Sequence, residues 1–243
     1  MDKEAKNSVD IFQKAVTILN QNKVCFWLDQ GTLLGCIREN RLLPWDHDID
    51  FGVWKDQVDR ELLINCFMNL GFQLENIPYE MDCIHLLSNY GKKVDITFYE
   101  IEGAMATVKW VAPVDGIFCR VIKMITNSLD DSSKNLQPNQ TQYFKRVIIT
   151  MANWIVHILP RSLKKKLSIF FKPLVLKYPT TKMVKFSIPL EILSHLKNIV
   201  FLDMNVKIPI ESEKYLSLVY GNDWIIPKES FNWWQECGGL ESI

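Results

Sequence analysis

Three aspartates alternate along Pro44-Trp45-Asp46-His47-Asp48-Ile49-Asp50-Phe51-Gly52-Val53, and this run constrains the chain more than any other stretch. As a strand from Asp48 to Val53 it puts Asp48, Asp50 and Gly52 on one face and Ile49, Phe51 and Val53 on the other, because side chains alternate across a strand. The apolar face can then enter a core while carboxylates project together from the opposite side. Like charges that close hold each other's pKa up unless a cation sits between them. A hard divalent ion with oxygen ligands resolves the repulsion, and Mg²⁺, with Mn²⁺ as its alternative, takes one or two carboxylates plus substrate phosphates. An EF-hand loop also opens with alternating aspartates, but it needs glycine at its sixth position and glutamate at its twelfth. Counted from Asp46, those positions hold Phe51 and Gln57, which excludes it. A solvated acidic edge remains the plain alternative.

Upstream, Val24-Cys25-Phe26-Trp27-Leu28 reads as a strand, Gly31-Thr32-Leu33-Leu34-Gly35 as a glycine-flanked turn, and the run ending at Arg38 as a helix. A glycine that admits a phosphate to the backbone, a hydroxyl beside it and N–H groups at a helix start make an anion cradle. Together the two halves resemble the LicD/fukutin family of phospho-alcohol transferases, within the nucleotidyltransferase superfold. The resemblance rests on Gly31, Thr32, Leu33, Leu34, Gly35, Arg38, Pro44, Trp45, Asp46, Asp48 and Asp50. Two later matches support it: Lys93-Val94-Asp95-Ile96-Thr97-Phe98-Tyr99, and the tail Tyr215-Leu216 through Tyr220-Gly221, Trp224 and Pro227. It covers roughly residues 9–100 well and 209–227 less closely.

The resemblance implies a nucleotidyltransferase-like mixed α/β sheet flanked by helices, and transfer of a phospho-alcohol from a CDP-activated donor to a glycan hydroxyl. It implies that Asp48, Asp50 and Asp95 hold one or two Mg²⁺ ions and carry catalysis. Gly31 and Thr32 are expected to cradle phosphate and Arg38 to offer it a charged fork. Asp46 has a supporting or substrate role, with Trp45, Tyr220 and Trp224 also on the substrate side. A nucleotidyltransferase adding NMP from NTP to a small molecule would use the same carboxylates. Some fukutin-like members carry a zinc-binding cysteine cluster, and no such cluster is legible here.

In chain order, Val9, Phe12, Val16 and Leu19 make one apolar helical stripe. Lys55 to Leu70 reads as a helix with Val58, Leu62, Cys66 and Leu70 inward, closed by Gly71. Cys83 to Ser88 and Lys93 to Tyr99 read as strands about the turn Asn89-Tyr90-Gly91, with Met105 to Val111 as another and Phe118 to Ile125 as a short helix. His85 reads as a packed core histidine and stays outside the expected site. The tail helix stops at Gly221, and Trp233-Trp234 is a candidate platform or lid contact.

Net charge is zero, with 28 basic and 28 acidic residues, so it points to no polyanionic partner. The distribution is uneven. Between Asp131 and Glu191 lie 11 lysines and arginines and no acid. Ile155, Leu163, Leu167 and Phe170 oppose Arg161, Lys165 and Lys172, an amphipathic basic pattern suited to peripheral contact of residues 145–185 with an anionic membrane. No nucleic-acid motif accompanies it, so no nucleic-acid partner is expected. Residues 127–142 turn polar, which divides the chain into a core at 1–126, a basic helical insertion at 127–190 and a closing segment at 191–243. The six cysteines form no C-x-x-C pair and no His lies at zinc-ligand spacing, so they read as buried reduced thiols. With no signal-peptide pattern and no long apolar span, the expected place is cytoplasmic, peripheral to the inner membrane face.

Overall fold

The computed structural model describes residues 3–75, 81–113, 181–228 and 231–243. It divides into two units, Met1–Val111 with Met183–Ile243, and Ala112–Lys182. The second falls largely outside the described residues, as do the expected helix at Phe118–Ile125, the polar stretch at 127–142 and the basic interval up to residue 180.

Helix α1 (Lys3–Gln21) buries Ile11, Phe12, Ala15, Val16, Ile18 and Leu19, a stripe at helical period that packs Phe12 on Phe51 and Phe201. Strand β1 (Phe26–Leu28) leads through Asp29 into α2 (Gln30–Glu39), and β2 (Asp50–Trp54) follows. A 3₁₀ turn (Lys55–Gln57) precedes α3 (Arg60–Asn69). Next come β3 (Gln73–Leu74), β4 (Cys83–Leu87), β5 (Lys93–Glu102) and β6 (Met105–Pro113). After residue 180 come β7 (Thr181–Pro189), α4 (Leu190–Ser194), β8 (Leu196–Phe201), β9 (Met204–Pro209), α5 (Ser212–Tyr220), α6 (Trp233–Glu236) and β10 (Leu240–Ser242).

The sheet is mixed, has eight strands and is flanked by helices, as expected for the α/β class. Its path runs β1-β2-β5-β6-β7-β10, with β4 and β3 reached from the other edge of β5. The β2–β5 pair is parallel and sets Asp50 opposite Asp95, while β4 lies antiparallel to β5 and sets His85 opposite Asp95 from the other side. One position on β5 thus gathers chemistry from both neighbours. β8 and β9 form a separate antiparallel hairpin whose turn residues Leu202 and Asp203 both take left-handed φ, the primed geometry that suits tight hairpins.

Three expectations shift. Strand β2 begins at Asp50, so Asp46 and Asp48 lie in the loop before it and not on a strand face. The Gly31–Gly35 run is not a turn: it forms the first turns of α2. Helix α3 starts later than Lys55, after Asp59, whose carboxylate accepts the Leu62 N–H at 3.0 Å, and it turns Leu63, Ile64 and Phe67 inward, leaving Leu62 and Leu70 exposed. The tail helix α5 does stop at Gly221, which takes φ +85.

Candidate active site

The site grows from the start of α2. Asp29, at the helix N-cap, is fully buried between β1 and α2, and its carboxylate accepts hydrogen bonds from the Tyr99 hydroxyl at 2.9 Å and from the Tyr215 hydroxyl. Burial pushes its pKa up to about 6, with the two phenols acting against that rise. Thr32 ties α2 to β2: its Oγ1 accepts the Asp50 N–H at 2.8 Å, and its own N–H donates to Asp50 Oδ2 at 3.3 Å. The Thr32 hydroxyl, expected to meet phosphate, is buried and positions Asp50.

Both glycines of the motif exist for close approach. A Cβ on Gly31 would lie 2.2 Å from Asp46 Oδ2 and 3.2 Å from Asp50 Oδ2, so only glycine lets the first turn of α2 meet both carboxylates. A Cβ on Gly35 would lie 2.5 Å from the Arg41 carbonyl oxygen, where the chain doubles back past the helix end at Asn40. That return carries Leu43 through Asp48 back toward the start of the helix.

Asp46, Asp48 and Asp50 consequently each offer a carboxylate oxygen within 4.8 Å of the others. Asp46, assigned a supporting role from the sequence, is a full member of this cluster. Burial first, then its hydrogen bond and charge contact with Asp48, push the Asp46 pKa up to about 8, against the pull of Lys92. Asp50 is raised well above the carboxylate range by burial and by the charges of Asp48, Asp46 and Asp95. Three oxygen donors set against one another, with Lys92 drawing on Asp46, suit a hard divalent cation.

Asp95 looks the other way. Its Oδ2 lies 2.7 Å from His85 Nδ1, and its Oδ1 is buried with no hydrogen-bond partner. Burial raises the Asp95 pKa despite the opposing His85. Burial alone would lower His85, but the bond and charge of Asp95 outweigh it and raise the imidazole. His85, which sequence reasoning left in the core, lies against Asp95, and Cys83 joins the pair from two residues away. Only the cross-strand alignment could have revealed this grouping.

Asp46, Asp48, Asp50, Cys83, His85 and Asp95 line one cavity of about 390 Å³. Its walls are aromatic: Trp45, Trp110, Tyr220, Trp224, Phe231, Trp233 and Trp234. Arg38 also lines it, but its guanidinium is already engaged, with Glu39 Oε1 at 2.8 Å, the Trp224 carbonyl at 3.1 Å and the Trp45 ring at 5.9 Å. Arg38 thereby fastens the tail to the helix that carries the glycines. The expected residues Gly31, Arg38, Trp45, Asp46, Asp48, Asp50, Asp95, Tyr220 and Trp224 all border the cavity, and Thr32 does not.

The family model LicD/FKTN/FKRP, nucleotidyltransferase domain, matches residues 23–118. That part of the chain is similar to the LicD/FKTN/FKRP nucleotidyltransferase domain. It is 30% identical over 97 residues to the ribitol-5-phosphate transferase FKTN of Macaca fascicularis, covering 39% of this chain and 21% of that protein. Over 76 residues it is 32% identical to the lipopolysaccharide cholinephosphotransferase LicD of Haemophilus influenzae, covering 31% of this chain and 25% of that protein. The chain thus spans about a quarter or less of the length of either relative. The solved structure of the antibiotic-resistance factor ANT(2'')-Ia superposes at a TM-score of 0.34 and 11% identity, over 71% of this chain and 95% of that one, too loosely to carry an argument. The LicD/FKTN/FKRP match contains every carboxylate of the cavity, together with Cys83 and His85, whereas Tyr220, Trp224, Trp233 and Trp234 lie beyond it.

Among the described residues no helix is long and apolar enough to cross a membrane, and the five described cysteines are free.

Proposed function

We propose that this protein transfers a phospho-alcohol, phosphocholine or a similar group, from a CDP-activated donor to a sugar hydroxyl of a cell-surface glycan or its lipid-linked precursor, releasing CMP. The observation that carries the reading is the half-buried cluster of Asp46, Asp48 and Asp50 opening on an aromatic-walled cavity, within the residues that match the LicD/FKTN/FKRP domain. Relatives named as ribitol-5-phosphate transferase and cholinephosphotransferase support phospho-alcohol transfer as the class.

The residues fit Mg²⁺ or Mn²⁺: oxygen donors only, the pKa values of Asp46 and Asp50 raised by burial and by neighbouring carboxylates, and a glycine cut away to admit them. Asp48 and Asp50 would hold the ion, with Asp46 beside them and Asp95 completing the set through its unpartnered oxygen. When bound, the ion would neutralise the charge that develops on departing CMP. The Gly31 N–H, in the first turn of α2, would donate to a phosphate oxygen, the Thr32 N–H being taken by Asp50. Arg38 keeps Trp224 and Trp45 in place at the cavity wall, and Tyr220 and Trp224 enclose the substrate. To Asp95 we assign the proton of the attacking sugar hydroxyl, with His85 sharing it across their hydrogen bond.

The test is incubation with Mg²⁺ and a panel of CDP-alcohols, NTPs and UDP-sugars, followed by identification of the released nucleotide. CMP from a CDP-alcohol is expected. Pyrophosphate from an NTP would replace this reading with nucleotidyl transfer to a small molecule. We further propose that residues 145–185 hold the enzyme on an anionic membrane, where a lipid-linked acceptor is presented. Co-sedimentation with anionic liposomes but not neutral ones is expected, and equal pelleting on both would sink it.

A further inference from the structure

On the reading that the substrate carries a phosphoanhydride, we propose that Lys228 binds its oxygens, exchanging Asp223 for phosphate as the substrate enters the cavity. Asp46, Asp48, Asp50 and Asp95 all border that cavity, and their charges more than offset one divalent ion. A phosphoanhydride adds further negative charge, so cations from the chain itself have to meet it. Among the described residues at the wall, the cationic side chains are Arg38, Lys228 and, when protonated, His85.

Two of the three are committed elsewhere. His85 is held by Asp95 at 2.7 Å. Arg38 gives its Nε and Nη2 to Glu39 Oε1 at 3.3 and 2.8 Å and its Nη1 to the Trp224 carbonyl at 3.1 Å, with only 7% of its side chain exposed. Lys228 is held differently. Its ammonium meets Asp223 at 2.7 Å, but the two side chains are 40% and 53% exposed. A pair that wet is weak, because water screens both charges and two mobile side chains must be ordered to keep it. A phosphoanhydride brings more charge and several acceptor oxygens, and it draws the lysine away from a single solvated carboxylate.

The loop that carries Lys228 is fixed at one end and exposed at the other. After α5 stops at Gly221, the Trp224 N–H donates to the Gly221 carbonyl at 3.1 Å and the Ile226 N–H to the Asp223 carbonyl at 2.9 Å. Arg38 grips the Trp224 carbonyl and so ties the loop to α2, the helix whose Gly31 meets Asp46 and Asp50. Beyond Trp224, residues Ile225, Ile226, Pro227 and Lys228 are all exposed, so little side-chain packing opposes a change of partner at Lys228. The four-carbon stem of lysine then lets the ammonium move while the loop stays in place. Arg38 thus acts as the anchor of the loop, and Lys228 supplies the charge that Arg38 cannot. Asp223 competes with phosphate for the ammonium and sets how tightly phosphate is held.

The test is calorimetric binding of inorganic pyrophosphate to the full chain in saturating Mg²⁺. Lys228→Met should weaken binding by about 10 to 100-fold, the scale of one hydrogen bond to a charged group, and Lys228→Arg should recover most of it. Asp223→Asn should tighten binding by roughly 2- to 5-fold, because the ammonium loses its competitor. A pair that merely braced the loop would behave otherwise, since either substitution breaks it and both would weaken binding alike. Both side chains are largely exposed, and thermal melts check that each variant folds. Equal weakening in Asp223→Asn and Lys228→Met overturns the proposal. So does wild-type affinity in Lys228→Met, or a wild-type chain that takes up no pyrophosphate. Release of CMP from a CDP-alcohol judges the transfer reading separately, and the expected pyrophosphate pattern without CMP release would keep Lys228 as a phosphate ligand while removing that reading.

Discussion

Two sets of carboxylates, Asp29 alone and Asp46 with Asp48 and Asp50, lie at the two ends of the Asp29-to-Asp50 connection, and their neighbours act on them in opposite ways. Asp29 is sealed in the core, yet two phenol hydroxyls donate to it and its pKa rises only to about 6. Asp46 and Asp50 face Asp48 and each other, so repulsion adds to desolvation, and Asp46 reaches about 8. A carboxylate that the fold supplies with donors ties elements together: here β5, α5 and the start of α2. Carboxylates that the fold sets against one another hold a demand that only a proton or a cation can meet. The first arrangement reads as scaffold and the second as chemistry.

Removing one carboxylate from each set separates the two roles. Asp50→Asn or Asp48→Asn should lower turnover at least about 1,000-fold, since a metal site contributes several kcal/mol of charge stabilisation in the transition state. Thermal stability should hold or rise, because a repulsive charge leaves the cluster. Steady-state assays with a CDP-alcohol and thermal melts measure both; near-normal turnover in the Asn variants would refute the site. Asp29→Ala should do the reverse. Two buried phenols would lose their acceptor, at about 1 to 3 kcal/mol each, so unfolding in urea should show a loss of roughly 2 to 5 kcal/mol. The folded fraction should keep its Mg²⁺ affinity, and a large loss of affinity with little loss of stability would collapse the distinction.

Gly31 belongs to the second set, although it bears no charge. Gly31→Ala gains helix propensity, worth up to about 1 kcal/mol, so α2 should be no less stable. Its new methyl would nonetheless meet Asp46 Oδ2 at 2.2 Å and drive that carboxylate out of the cluster. Mg²⁺ affinity measured by calorimetry should drop about 10 to 100-fold, the scale seen when a metal site loses an orienting contact. Unchanged affinity would mean that Asp46 stands apart from the ion.

Much of this arrangement was readable in the chain, within limits that have physical causes. The mixed α/β class, the buried apolar face of β2 and the stop at Gly221 follow from local period and glycine chemistry. The Gly31–Gly35 run misleads because glycine is a poor helix former, and propensity yields to the need for close approach at both ends. In α3 two apolar rows share helical spacing, and it is Leu63, Ile64 and Phe67, not Leu62 and Leu70, that the rest of the core covers, a choice local period does not make. His85 and Cys83 carry no local signal, since their relation to Asp95 exists only through strand alignment. Asp29 is similar: its donors come from 70 and 186 residues away.

The gentlest test titrates both sets at once. In the folded chain Asp29 holds its proton up to about pH 6, against 3.8 for an ordinary carboxylate. Between those values the native state binds more protons than the unfolded one, so stability falls as pH rises, by at most about 1.4 kcal/mol per unit for one group. The Asp29 contribution is full below 3.8 and gone above about 6. The Asp46 contribution has the same sign and extends the decline to about pH 8. Saturating Mg²⁺ should act on the Asp46 contribution and leave that of Asp29. It displaces the cluster's protons, binds the folded state, and stabilises increasingly as pH climbs toward 8, up to about tenfold in affinity per unit for one proton released. Between pH 4 and 6 both groups contribute, so Asp29→Asn should remove its own share of the slope there and leave the Asp46 share, which Mg²⁺ should remove. Unfolding free energies from pH 4 to 8, with and without Mg²⁺, measure both shares. If Mg²⁺ also removed the Asp29 share, Asp29 would belong with the cluster it has been set against, and the phenols would be holding a metal-linked carboxylate and not a structural one.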